Sequence, residues 1–332
     1  MEENGIRISL PSKGRLAEEA LELLADAGLR VYKPNPRQYM AKIPSLPELT
    51  VIFQRPGDIV VSVRDGSVDF GITGWDMYSE LRGTNGLTLA LHAKLGFGTC
   101  TLNVIVPENW NDITNLEDLK ALAVRENNTL RVATKFPNLT RKFFSENGLD
   151  NIELIFAEGT LEIAPTVGYA DLIVDLVSTG TTLRDNRLKV LTGGQIIKSQ
   201  ACLIANKTSL KTNPKALAIA RQLLEFIVAH LRAMENLSVF ANIRSDSPEQ
   251  IADALFSKKV IGGLQGPTLS PVITRDRENW YAVHLVVRKD QMAQAISELR
   301  EIGGSGLIVA PVRYIFEEEP QEFKAMLAAL EE

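Results

Sequence analysis

The stretch Glu162-Ile-Ala-Pro-Thr-Val-Gly168-Tyr-Ala-Asp171-Leu-Ile-Val-Asp175-Leu-Val-Ser178-Thr179-Gly180-Thr181-Thr182-Leu183 is the most informative in the chain. Its centre, Leu172–Val174, is an uninterrupted apolar run of the kind found in strands buried on both faces. That strand delivers a carboxylate, Asp175, to its carboxyl end, and a turn of small hydroxyl residues around Gly180 then leads toward a helix. Such a turn presents several backbone N–H groups and hydroxyls to a single anion, and the helix N-terminus adds a favourable dipole. A carboxylate just before it is placed to accept hydrogen bonds from sugar hydroxyls, so the combination reads as a cradle for a ribose 5-phosphate. A plain strand-to-helix turn with a Ser/Thr cap is the alternative that spacing alone leaves open.

Working outward, Gly168-Tyr-Ala-Asp171-Leu-Ile-Val174 echoes Gly66-Ser-Val-Asp69-Phe-Gly-Ile72. Each reads as a helix-ending glycine feeding a strand, and two such units predict two similar α/β lobes with a cleft between them. The first two-thirds of the chain alternates short apolar strands with amphipathic helices, the pattern of a mainly parallel sheet. Ile6–Leu10 is a strand and Leu16–Ala27 a helix stopped by Gly28; further strands are expected at Leu49–Phe53, Phe70–Ile72, Leu102–Val106, Leu130–Ala133, Ile152–Ile155 and Ala201–Ile204. The polar segment Glu108–Asn128 reads as a solvent-exposed insertion. Asn213-Pro214 opens a long helix whose stripe Leu217, Ala220, Leu224, Ile227, Leu231 and Met234 closes this part. After the loop Asn242–Asp246 the texture changes: Ser247-Pro248 caps a short helix, Trp280–Val287 alternates as a strand, Asp290 caps the helix Gln291–Ile302, and Gly303-Gly304-Ser305-Gly306 leads into the strand Leu307–Val312. This β-α-β texture resembles a small ferredoxin-like module, with a boundary near residue 245.

A length of 332 residues suits two domains. The 36 basic and 41 acidic residues give a net charge of −5, which argues against a general nucleic-acid binder, so an anionic ligand must be held by a local arrangement. Met1–Leu10 has no apolar core, and Arg221, Glu225 and His230 interrupt the best apolar run, so a cytoplasmic protein is expected. Cys100 and Cys202 cannot form a disulfide framework and are expected as buried small hydrophobes; no Cys-x-x-Cys or His-x-x-x-His suggests a dedicated metal site. The histidines, His92, His230 and His284, lie too far apart in sequence to suggest a triad. No Walker A loop occurs, and Gly96-Phe97-Gly98 lacks the third glycine of a dinucleotide fingerprint.

The block from Glu162 to Leu183 resembles the signature of ATP phosphoribosyltransferases, and other blocks follow in order along nearly the whole chain. Leu10-Pro-Ser-Lys13-Gly-Arg15-Leu16, Arg55-Pro-Gly-Asp58-Ile59 through Gly66, Asp69, Gly71, Gly74 and Asp76, Arg131-Val-Ala-Thr-Lys135-Phe-Pro137-Asn138 and Ser199–Ile204 all resemble that family, with Phe136 where it often has Tyr. Gly266-Pro-Thr-Leu-Ser270-Pro271, Ala282-Val-His284 and the Gly303–Val312 loop and strand resemble the regulatory domain of its long form.

The resemblance implies a two-lobed, periplasmic-binding-protein-like catalytic part over 1–245 (about 5–97 with 200–245, and about 98–199) and a ferredoxin-like, ACT-like regulatory domain over 246–332. It implies transfer of the phosphoribosyl group of phosphoribosyl pyrophosphate to N1 of ATP, the first step of histidine biosynthesis, with feedback inhibition by histidine and assembly into dimers and hexamers. It implies Mg²⁺ carried by the substrate, and a reaction run by positioning and charge stabilisation without a protein nucleophile. By position, Asp175, Glu162 and Arg15 are assigned to catalysis; Asp175, Ser178, Thr179, Gly180, Thr181 and Thr182 to phosphoribosyl pyrophosphate; Lys13, Arg15, Arg55, Gly74 and Asp76 to ATP or pyrophosphate. Lys135 and Pro137 are placed on the facing lobe, and Ser270, Gly304, Ser305 and Gly306 at a histidine site, where backbone N–H groups would take the carboxylate. Competing readings are a purine-salvage phosphoribosyltransferase, whose loop carries two adjacent acids where Asp175 is followed by Leu176; a two-lobed solute-binding protein; and an inactive homologue, against which the intact Asp175–Leu183 block argues.

Overall fold

The computed structural model describes residues 5–35, 38–125, 129–262, 266–275 and 278–331. It divides into a first unit of residues up to Ala25, Leu29–Leu224 and Gln321 onward, and a second of Asp26–Gly28 with Glu225–Pro320.

The first unit contains two sheets. One holds β1 (Ile6–Pro11), β2 (Met40–Ile43), β3 (Leu46–Gln54), β4 (Phe70–Gly74) and β5 (Thr88–His92), with helices α1 (Arg15–Asp26), α2 (Pro56–Arg64) and α3 (Trp75–Leu81) between them. The other holds β6 (Cys100–Pro107), β7 (Leu130–Thr134), β8 (Ile152–Phe156), β9 (Leu172–Val177) and β10 (Leu188–Ser199), with α4 (Leu116–Arg125), α5 (Pro137–Glu146), α6 (Ala164–Val167) and α7 (Thr181–Asp185). The chain then returns to the first sheet as β11 (Ala201–Asn206), followed by α8 (Lys207–Thr212) and the long α9 (Pro214–Met234). The strand orders are β2-β3-β1-β4-β11-β5 and β10-β6-β9-β7-β8. In each lobe a parallel trio (β3-β1-β4 and β8-β7-β9) is followed by an antiparallel strand that has just crossed from the other lobe, β11 or β6. The two lobes are therefore variations on one topology.

The sequence echo has a structural counterpart at hydrogen-bond level. Asp69 Oδ2 accepts from Arg7 N at 2.8 Å and Asp69 N donates to Arg7 O at 3.1 Å; Asp171 Oδ2 accepts from Arg131 N at 2.8 Å and Asp171 N donates to Arg131 O at 2.8 Å. In each lobe the acid at the end of the helix–strand turn ties the third parallel strand to the start of the first. Asp171 also binds the Arg131 guanidinium, through Nη2 at 2.7 Å and Nε at 3.3 Å. Burial pushes its carboxyl up, but the hydrogen bonds from Arg131 outweigh this and hold it below the ordinary range. Stability from this pair is thus present above pH 3.8 and is lost as pH falls through the depressed folded value. Asp171→Ala takes the carboxylate partner from Arg131 N, Nε and Nη2 and costs about 1–3 kcal/mol at pH 7, a drop of roughly 2–10 °C in melting temperature for a unit of this size. Thermal melts at pH 7 and pH 3 check it: the deficit shrinks at the lower pH, and an equal deficit at both would refute the ion-pair account.

Strand residues fill the core: β4 and β11 are buried along their whole lengths, which is why both read as unbroken apolar runs. Segment 108–128 is not a simple exposed insertion. It contains α4, whose Leu116, Leu119 and Ala123 pack with Ile113 into the core of the second lobe while its polar face meets water; residues 126–128 lie outside the described residues. On α9 the buried stripe is Ala216, Ile219, Ala220, Leu223, Leu224 and Ile227, and Met234 is exposed. Among the described residues no helix is long and apolar enough to cross a membrane.

The second unit is a βαββαβ fold: β12 (Asn236–Arg244), α10 (Pro248–Phe256), β13 (Thr268–Val272), β14 (Trp280–Arg288), α11 (Met292–Glu301) and β15 (Ser305–Pro311), in sheet order β13-β14-β12-β15. All its pairs are antiparallel, and Val239, Ala241, Ile243, Val283, Leu285 and Val287 form its core with Ile251, Leu255, Ala295 and Leu299. This is the ferredoxin-like arrangement, with two strands more than the sequence texture marks, β12 and β13, and β12 runs on to Arg244, inside the stretch Asn242–Asp246 expected as a loop. The unit begins about twenty residues before 245, because β12 pairs with β14 from Asn236↔Arg288 to Arg244↔Trp280. Nor does it run to the end of the chain: α12 (Gln321–Glu331) belongs to the first unit, with Phe323 and Met326 buried and Glu322 3.5 Å from His92. Asp290 does not cap α11. It sits in a 3-10 turn, Lys289–Gln291, and binds the Arg288 guanidinium at 2.9 and 3.0 Å.

Candidate active site

In an α/β sheet the carboxyl ends of the parallel strands leave a crevice where short turns gather side chains from distant parts of the chain. Here β1 and β3 are adjacent and in register from Ile6↔Leu49 to Pro11↔Gln54, so the turns carrying Lys13–Arg15 and Arg55–Pro56 lie side by side. Gly74 ends β4 and Asp76 follows it, Lys135 follows β7, and Asp175 with Ser178 stands at the end of β9. A cavity of about 460 Å³ between the lobes is lined by Arg15, Pro56, Gly74, Asp76, Lys135, Phe136, Glu158, Asp175 and Ser178, among others. A second cavity of about 640 Å³ shares Cys100 and Ser178 with it and is lined by Trp75, Lys94, Thr101, Lys198 and Gln200.

Asp175 is the acid of this cleft with the largest rise in pKa. Burial pushes its carboxyl from 3.8 to about 6; the Glu162 carboxylate adds to the rise, while the N–H of Leu176, donating to Oδ1 at 2.7 Å, and the Lys135 ammonium oppose it. Glu162 is not on the cavity wall but is close enough to act on Asp175. It lies in a 3-10 turn, Leu161–Ile163, entered through Thr160 at φ +53°, a left-handed conformation that costs a β-branched residue roughly 1–3 kcal/mol. Asp76 is almost fully buried, and burial raises its pKa. Its Oδ1 accepts from Ser199 Oγ at 2.5 Å, and its own N–H donates to Ser199 Oγ at 2.9 Å. One oxygen of the acid assigned to nucleotide binding is therefore already committed to the end of β10. Lys135 lowers the pKa of both Asp76 and Asp175, so its ammonium lies within electrostatic reach of each.

Not every assigned residue meets the cavity. Lys13 and Arg55 are exposed beside the wall-forming Arg15 and Pro56. Beyond Ser178, the hydroxyl turn is largely exposed: Thr179 Oγ1 and Thr181 Oγ1 are 3.2 Å apart, and Gly180 at φ +71° starts α7 with no side-chain cap, leaving the first-turn N–H groups without one. Cys100 is only half-buried and lines both cavities, unlike the fully buried Cys202; burial, with Asp76 adding, pushes the Cys100 thiol up to about 11, so it is unreactive at neutral pH. Ser199 stands in the sequence only as the first residue of a block that resembles the family, and Cys100 only as an expected buried hydrophobe; nothing local marks either as a neighbour of Asp76.

In the second unit the expected histidine contacts separate. Ser270 lies on β13 and Ser305 on β15, the two outer strands of the sheet; the register Ser270↔Ala282, Asn242↔Ala282, Asn242↔Ser305 places them in one row, three strand spacings or about 14 Å apart. The loop is also less free to bind a carboxylate than expected, since Gly303 N donates to Arg300 O at 3.0 Å, Gly304 N donates to Leu299 O at 2.7 Å, and Ser305 Oγ donates to Asn242 O at 3.2 Å. Closing α11 consumes the N–H groups of Gly303 and Gly304.

The ATP phosphoribosyltransferase family model matches residues 55–232, and that of the HisG C-terminal domain matches 233–314. An ATP phosphoribosyltransferase of Arabidopsis thaliana, described as chloroplastic, is 42% identical over 98% of this chain and 80% of its own length. One from Gemmatimonas aurantiaca is 37% identical over 92% of this chain and 98% of its own. Among solved structures, the ATP phosphoribosyl transferase (HisG:HisZ) complex from Thermotoga maritima superposes with a TM-score of 0.53 at 24% identity, over 67% of this chain and 98% of that one, a likeness of fold. With a matching cleft-bearing unit, a matching C-terminal domain and relatives aligned over almost its whole length, this chain belongs to the ATP phosphoribosyltransferase family, in its long form.

Proposed function

We propose that the protein joins the phosphoribosyl group of phosphoribosyl pyrophosphate to N1 of ATP, releasing pyrophosphate, as the first step of histidine biosynthesis. The observation that carries this reading is the raised carboxylate of Asp175 at the mouth of an uncapped hydroxyl turn, facing Arg15, Asp76 and Lys135 across one cavity. Asp175 accepts hydrogen bonds from the ribose hydroxyls, and Ser178, Thr179, Gly180, Thr181 and Thr182 hold the 5-phosphate with hydroxyls and backbone N–H groups. Arg15 and Lys135, with Lys13 and Arg55 at the rim, balance the charge of the leaving pyrophosphate, which brings its own Mg²⁺ as part of the substrate. Gly74 and Asp76 face the nucleotide. The N1 lone pair of the adenine attacks C1 as the C1–O bond to pyrophosphate breaks, through an oxocarbenium-like state with inversion, so positioning and charge supply the rate. Glu162, assigned to catalysis with Asp175, adds its charge to the rise of the Asp175 carboxyl that burial dominates.

The second unit is proposed as the seat of feedback inhibition by histidine, on the support of its match to the C-terminal domain and its ferredoxin-like form. Assembly into dimers and hexamers belongs to the same proposal and is read out by light scattering. The test mixes the full chain with ATP, phosphoribosyl pyrophosphate and Mg²⁺ and follows phosphoribosyl-ATP and pyrophosphate, with and without L-histidine. Product suppressed by histidine is expected; turnover of a free purine in place of ATP would overturn the reaction, and product indifferent to histidine would overturn the regulatory half.

A further inference from the structure

One buried carboxylate of the first unit has no part in the chemistry above. Glu80, near the end of α3, is 5% exposed, and burial raises its pKa against the hydrogen bonds it accepts. Its partners lie on the other lobe: Oε1 accepts from Asn138 N at 2.8 Å and Oε2 from Leu139 N at 2.9 Å, while Asn138 Nδ2 donates to the backbone oxygen of Glu80 at 3.1 Å. These are first-turn N–H groups of α5, a helix that starts without a cap of its own. Phe136 stands at its N-cap and offers no oxygen, and Pro137 at its first position has no N–H. Glu80 supplies the missing cap from 58 residues away.

A Ser or Thr at position 136 would cap the helix within one lobe and without burying a charge. What the distant carboxylate adds is a link between lobes. On α3, Asp76 lies one helical turn before Glu80 and on the same face. On the other side, Lys135 lies three residues before Asn138, in the turn that Glu80 clamps. We propose that Glu80 is a positioning residue for phosphoribosyl transfer: by capping α5 from the opposite lobe, it holds Lys135 at a fixed distance from Asp76 and Asp175. The proposal rests on the reading of the cleft given above.

A double-mutant cycle on the full-length protein tests it, with Glu80→Ala, Lys135→Ala and the pair compared by turnover and by calorimetric binding of phosphoribosyl pyrophosphate. Glu80→Ala is expected to lower kcat about tenfold to hundredfold, the scale of a misplaced catalytic group. Affinity for phosphoribosyl pyrophosphate, held by the Asp175–Thr182 turn of one lobe, stays within about twofold, and in the Lys135→Ala background the Glu80 change adds less than about twofold. Glu80→Gln falls between, since its amide oxygen keeps one of the two bonds, and the cycle is run with Gln if the Ala variant does not fold. Effects that multiply in the double variant, or a loss of melting temperature with kcat unchanged, would overturn the positioning role. Normal turnover in Lys135→Ala alone would instead overturn the assignment of Lys135 to the site, and the proposal with it.

Discussion

Asp175→Asn is expected to remove most phosphoribosyl transfer while raising the melting temperature at pH 8. The loss follows from charge: a carboxylate beneath the ribose stabilises positive charge developing at C1, and removing one such preorganised group costs about 10²–10³ in kcat. The gain follows from the same burial. The folded carboxyl titrates at about 6 against an ordinary 3.8, because burial, then the Glu162 charge, disfavour its ionised form. A group whose folded value is raised contributes stability that is complete below pH 3.8 and is lost as pH climbs through about 6. At pH 8 the ionised side chain therefore destabilises the fold by up to roughly 3 kcal/mol, and an asparagine of the same shape does not carry that cost. Melts of both proteins between pH 4 and pH 8 check this, the gap opening through about pH 6. A variant less stable by the same margin at every pH would show that Asp175 is a structural hydrogen-bonding residue and not a strained functional charge. The same titration gives wild-type kcat/KM an acidic limb near pH 6 that the variant lacks.

Gly74→Ala is expected to be nearly as damaging, for a steric reason. At φ −77° and ψ 142° the backbone there suits any residue, so conformational freedom is not what glycine supplies. A Cβ would instead stand 2.3 Å from Asp76 Oδ1 and 3.2 Å from its Cγ. That carboxylate has little room to yield, because Ser199 holds it through Oγ at 2.5 Å and Asp76 N holds Ser199 in turn. Either the start of α3 shifts or the Asp76–Ser199 pair breaks, at a combined cost of about 2–5 kcal/mol. This corresponds to roughly 5–15 °C in melting temperature for the first unit, with turnover down about a hundredfold as α3 moves against the cavity. If the clash with Asp76 is the cause, Gly74→Ala in an Asp76→Ala background costs little more than Asp76→Ala alone. Full additivity of the two losses would place the damage elsewhere in α3.

The parts of this protein legible in its sequence are those written in short-range pattern. The run Leu172–Val174 ending in Asp175 and the hydroxyl turn is local chemistry, and it has the same form in the folded chain. The echo of Gly66–Asp69 in Gly168–Asp171 is local as well, and it marks equivalent tie points in two lobes of one topology. Strands β2, β5 and β10 carry mixed or half-exposed patterns, so their period is too weak to read; in β12 the polar Ser238, Asn242 and Arg244 break the apolar run, and β13 is mostly exposed. Amphipathic α4 lies within a stretch, 108–128, whose polar residues outside and on the helix hide its short apolar face, so the segment reads as an exposed insertion although Leu116, Leu119 and Ala123 are buried.

By itself, the sequence determined that there would be α/β lobes, an acid-led phosphate turn at a strand end, and a separate β-α-β module, because hydrophobic period and turn chemistry act over a few residues. Only the tertiary structure decided which charges share a cavity. The two crossings at β5–β6 and β10–β11 bring Arg15, Asp76, Lys135 and Asp175 to one cavity and leave Lys13 and Arg55 at its rim, and the strand order of the second unit sends Ser270 and Ser305 to opposite edges of their sheet. The same crossings join Asp76 to Ser199 and Glu80 to Asn138, contacts over 123 and 58 residues. Periodicity tells which face of an element is buried but not what it is buried against, and in this cleft burial first, then the partners that the fold brings up, shifts the titration of Asp76 and Asp175.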